Sequence, residues 1–112
     1  MKHAAIIAAA VMTVALSASS VRAETFTSAE FLKWPRANQS AYFSVSIGMA
    51  GFIVSMHEKP KARCLEDWYF KNTDAAENTI LETMRQHPEF HPRGVIVAVL
   101  QKRCGKLGPN SG

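Results

Sequence analysis

At 112 residues the chain has room for one domain with a modest core. Its 13 basic and 9 acidic residues give a formal charge of +4, but Lys2 and Arg22 lie in a leader whose removal leaves 11 against 9. That near-neutral balance, with no lysine–arginine stripe interleaved with aromatics, excludes a nucleic-acid binder.

The first element is the leader. Met1-Lys2-His3 is a short basic start, and Ala4 to Leu16 is apolar apart from Thr13. Ser17 to Ser20 then leads to Val21-Arg22-Ala23, which fits a signal-peptidase site. Cleavage is expected between Ala23 and Glu24, making 1–23 a signal peptide, 24–107 the folded domain and 108–112 a flexible tail. The apolar run of 13 residues is too short to span a bilayer, which takes about 20. No membrane span is therefore expected after cleavage, and no cysteine near the junction suggests a lipoprotein. The expected destination is the bacterial periplasm.

Thr27-Ser28-Ala29-Glu30 has the form of a capping box, with Phe26 and Phe31 placed as its hydrophobic staple. A short helix from about residue 28 to Trp34 follows, ended by Pro35. Residues 37–56 contain no charge. Within them Tyr42, Val45, Met49, Phe52 and Met56 recur at helical spacing, and Phe43, Ile47, Ala50 and Val54 form a second apolar stripe. Ser44, Gly48, Gly51 and Ser55 make a third stripe of small side chains. The pattern predicts a central core helix, apolar on two faces. Its amide and hydroxyl side chains argue against a transmembrane role. The small stripe suits either close internal packing or a subunit contact.

His57 to Arg63 reads as a charged, proline-containing connection, and Leu65 to Phe70 as an aromatic-rich turn or irregular segment against the core. Asn72-Thr73-Asp74 supplies N-cap candidates, of which Asp74, with Glu77 three residues on, is the best. Ile80, Leu81 and Met84 define a helix running to about Gln86, terminated by His87-Pro88. The last element runs from Pro92 to Cys104-Gly105. Its proline start, Lys102 and Arg103 in the last turn, and terminal glycine indicate a helix. Val95, Ile96, Val97 and Val99 prefer strand, so end signals and interior disagree; the end signals favour helix. The expected fold is all-α: a small single-domain bundle of about four helices with one disulfide.

Cys64 and Cys104 are the only cysteines, and in an exported chain they are expected to be bonded. Closing a loop of about 40 residues contributes roughly 4 kcal/mol by chain entropy. No Cys-x-x-Cys spacing supports a redox role. In His87-Pro88-Glu89-Phe90-His91-Pro92, two histidines four apart could ligate a metal with Glu89 as third ligand, but the two prolines make it an interhelix turn. Glu58, Glu66 and Asp67 read as solvated charges rather than an acid–base pair. With no nucleophile elbow, phosphate loop or zinc-protease motif, neither catalysis nor a cofactor or metal is expected.

Cys64-Leu65, the Asp74–Glu77 cap, His87-Pro88-Glu89 and the apolar run from Val95 to Cys104 follow one another in an order that resembles the Tai-type immunity proteins. Those proteins protect bacteria from peptidoglycan amidases injected by type VI secretion systems. Thr27 to Leu32 is similar to the opening helix of that family and Gly48 to its central glycine-bearing helix, so the likeness covers most of the mature chain. Members usually carry a further disulfide; here Trp34 and Tyr42 stand near those two positions. The aspartate that often follows the central glycine is also missing. The resemblance implies a protein partner, a cell-wall amidase whose cleft a surface loop plugs, and a homodimer. It assigns no contact residue. Two other roles suit a small exported helical protein with one disulfide: an acid-stress chaperone of the HdeA type, and a structural or assembly subunit using the small-residue stripe.

Overall fold

The computed structural model describes residues 25–108. The expected signal peptide, its cleavage site at Ala23 and Glu24, and all of the tail except Gly108 lie outside the described residues. Five α-helices follow in order: α1 (Ser28–Phe31), α2 (Arg36–Ser55), α3 (Lys59–Phe70), α4 (Thr73–Gln86) and α5 (Pro92–Cys104). The all-α expectation holds, and no strand occurs among the described residues.

The capping box starts α1. Glu30 N–H donates to Thr27 Oγ1 at 3.3 Å, and Thr27 N–H to Glu30 Oε1 at 3.5 Å, while the Phe26 and Phe31 rings meet tilted, as the staple, with centroids 6.4 Å apart. The helix is one turn long and does not reach Trp34. Pro35 disfavours helical backbone just before it, and the Phe31 carbonyl accepts from Trp34 N–H in a tight turn and from Gln39 Nε2, each at 3.0 Å. Two carbonyls of the 87–91 loop hold the start of α1: Phe90 O accepts from Ser28 N–H at 2.8 Å and Pro88 O from Ala29 N–H at 3.0 Å. Donors that a helix start leaves without intrahelical partners thus tie the first helix to the turn between α4 and α5.

The fifth helix is α3, where the sequence suggested a connection followed by an irregular segment. Pro60 is tolerated in its first turn, and Ala62, Leu65 and Tyr69 form a buried stripe at helical spacing. Interposed charges hide that stripe, because Lys61, Arg63, Glu66 and Asp67 occupy the other faces. This helix lies alongside α2. A Cβ on Gly51 would meet Glu66 Oε2 at 3.1 Å, so one small residue of the third stripe serves internal packing. Gly48 has nothing within 4 Å of its Cβ position.

For α2 the two-faced core expectation is corrected. Its buried residues are Gln39, Phe43, Ile47, Gly51 and Val54, the second stripe together with a small neighbour. The stripe through Tyr42 turns outward: Val45 is 69 % exposed, Met49 56 %, Phe52 62 % and Met56 62 %. The other helices cover one side of α2 and leave the opposite side open. The core itself joins Phe31, Phe43, Ile47, Leu65, Ile80, Met84, Ile96 and Leu100.

The end signals decide α5, which is helical from Pro92 despite its β-branched interior. Gly105 follows with φ +96°, a value glycine adopts without a Cβ penalty. Its ψ of 175° releases the chain into extended backbone rather than a left-handed turn.

Candidate functional site

Cys64 in α3 and Cys104 at the end of α5 are bonded, with Cα atoms 5.9 Å apart. The bond ties the helix that the sequence hid to the last helix, so its role in the fold is structural.

The Asp74–Glu77 cap does not form. Asn72 stands at the N-cap with no side-chain bond, and Glu77 lies one turn too deep, on the apolar stripe with Ile80, Leu81 and Met84. There it is 1 % exposed and acts as a hub for three elements. It accepts from the Tyr69 hydroxyl of α3 at 2.5 Å and from Ser40 Oγ of α2 at 2.7 Å. The Arg36 guanidinium, at the start of α2, donates to it at 3.2 Å. Burial, reinforced by the hydrogen bond and charge of Glu77, holds the Tyr69 phenol well above its usual ionisation range. No buried side-chain polar atom among the described residues lacks a partner. This carboxylate is therefore fully engaged in joining helices. Its position three and four residues before Ile80 and Leu81 was the signal that could have placed it inside.

The His-Pro-Glu turn is structural in the same sense. His87 follows the last residue of α4 and stacks on Phe90 at 5.2 Å. His91 uses Nδ1 to accept from Arg93 N–H at 3.0 Å, capping α5, and sets its ring edge-on to Phe26 at 5.4 Å. Each imidazole thus has its own separate contact, and Glu89 is exposed. Among the described residues no group of three or more His, Cys, Asp or Glu side chains converges to hold a metal. Asp67 of α3 pairs with Lys71 at 3.4 Å, and Glu58, just before α3, with Lys61 at 3.3 Å; Glu66 is exposed.

What remains unpartnered is surface. Val45, Met49, Phe52 and Met56 continue outward into Ile53 and, across α5, Val97. Two shallow concavities run along this side of α2. One of about 840 Å³ is lined by Phe26, Trp34, Tyr42, Asn38, His91 and Arg93. The other, about 300 Å³ between α2 and α5, is lined by Val45, Met49, Ala50, Ile96, Val97 and Arg93. The aromatic wall of the first is a contiguous cluster in which Phe26 stacks on Trp34 at 5.4 Å and Tyr42 meets Trp34 edge-on at 5.8 Å. Sequence reasoning grouped Tyr42, Val45, Met49, Phe52 and Met56 and placed them in the core; only Tyr42 packs against it, the other four are exposed, and Ile53 was not singled out. No helix of the described residues is long and apolar enough to cross a membrane.

Comparison of the chain with family models, with curated proteins and with solved structures finds no match in any of the three.

Proposed function

We propose that the protein is an exported, non-catalytic binding module that acts on another protein in the periplasm, as a Tai-type immunity protein acts on a cell-wall amidase. The observation that carries this reading is the outward apolar side of α2. A contiguous run of large apolar side chains left uncovered on a small domain marks an interaction surface more often than an accident of packing. The motif order from Cys64 to Cys104 supplies the type of partner.

The test is co-expression. The gene is expressed with periplasm-directed peptidoglycan amidases, beginning with any encoded beside it, and the two proteins are co-purified. Survival of the cells and a stable complex are expected with one such enzyme. Absence of protection and of binding across those amidases would remove the immunity reading. An acid titration with a client-aggregation assay addresses the HdeA-type alternative, in which suppression of aggregation develops only as the chain unfolds below about pH 3.

A further inference from the structure

The two concavities on α2 share one charged residue, Arg93. It stands in the first turn of α5, and while its backbone N–H is used by His91, its guanidinium has no hydrogen bond or ion pair with any described residue. Among the described residues no other formal charge lines either concavity, and α2 carries none from residue 37 to 56. The first turn of α5 contains no acidic residue either, so the positive end of that helix dipole adds to the same spot.

We propose that α2 and the start of α5 form a docking groove for an amphipathic helix of a partner protein, carrying a carboxylate that pairs with Arg93. The proposal rests on the reading of the protein as a binding module and specifies the chemistry of what it binds. The floor is α2 and α5 with Phe26, Trp34 and His91 at one end, and no strand occurs among the described residues, so an extended peptide finds no strand edge to pair with, whereas a helix lays an apolar face into such a groove. From Val45 to Met56 the apolar stripe covers about three helical turns, a normal length for the bound face. A second copy of the chain is a poor occupant. A two-fold contact sets the same surface against itself, which brings an uncharged stripe and a second unpaired arginine, and no carboxylate. Burying Arg93 without a partner charge carries a desolvation cost that only an acidic group offsets.

The experiment uses a displayed library of amphipathic helices about four turns long, panned against the oxidised chain and against Arg93→Glu. The expected pool on the unaltered chain combines an apolar stripe with aspartate or glutamate at one fixed position. On Arg93→Glu that position is expected to change to lysine or arginine. A selected peptide whose acid is replaced by its amide should bind the unaltered chain about tenfold more weakly by calorimetry, the scale of one desolvated charge pair. Met49→Glu should abolish binding of both pools while leaving the helical circular-dichroism spectrum unchanged. A pool with no preferred acid position, a pool indifferent to Arg93→Glu, or no pool at all overturns the proposal. So does a dimer in sedimentation that Met49→Glu dissociates and that excludes every peptide. An amidase that fails to bind while the library converges removes the immunity reading and keeps the groove. An amidase that binds regardless of Arg93→Glu and Met49→Glu does the reverse.

Discussion

Glu77 shows how one side chain can organise a small bundle. Its two oxygens receive donors from α2 and α3 while its backbone belongs to α4, so three helices are fixed in register by one carboxylate. Replacing Glu77 with alanine leaves Tyr69 and Ser40 without their acceptor and is expected to cost about 3 kcal/mol in urea unfolding; Tyr69→Phe, which removes one donor, should cost about 1 kcal/mol. The Tyr69 phenol also gives the fold an alkaline limit. The folded state holds the neutral form, so its ionisation lies above the unfolded value of about 10. The resulting stabilisation is complete below that pH and is lost progressively as pH rises beyond it. Urea midpoints measured from about pH 8 to about pH 11 should fall more steeply for the unaltered chain than for Tyr69→Phe; parallel slopes would contradict the assignment. The sequence held part of this. A carboxylate three residues after Asp74 looks like a cap, and only the tertiary approach of Tyr69 and Arg36, distant in sequence, shows that it is a hub.

At the scale of elements, the start of α1, the end of α4 and the start of α5 were legible, whereas the whole of α3 and the outward side of α2 were not. The capping box, His87-Pro88 and Pro92 are local signals acting through backbone sterics and nearby hydrogen bonds, and each placed a boundary, whereas α1 stops at Phe31, before the end expected at Pro35. The interior of α5 shows the same lesson, because its valines yield to the ends and to burial of Val95, Ile96 and Val99. The inward side of α2 depends on where α3 lies, and α3 was concealed by the charges around Ala62, Leu65 and Tyr69. A two-stripe helix offers two self-consistent solutions, and periodicity does not choose between them. Gly48 gives a clean check on this helix. With open space where its Cβ would stand, Gly48→Ala should stabilise the domain by about 0.5–1 kcal/mol through helix propensity and reduced unfolded-state freedom. A loss of stability in denaturant titration would show that another backbone approaches there. Across α3 and α5, Cys64→Ser with Cys104→Ser removes a bond spanning 40 residues of sequence and should lower stability by roughly 4 kcal/mol.

The whole molecule is a helical unit closed on one side and open on the other. A disulfide, a carboxylate hub and a loop clasp hold α1, α3, α4 and α5 against the inner side of α2, and the outer side keeps its apolar stripe with one unpaired arginine at the edge. A protein that binds through that surface must fold without it. The most direct test is therefore the stability of Met49→Lys combined with Phe52→Lys, measured by urea unfolding at low concentration. The account predicts a change within about 1 kcal/mol, as for solvent-facing positions. A loss of about 4 kcal/mol or more, the scale of core truncation, would place these side chains inside the fold and contradict it.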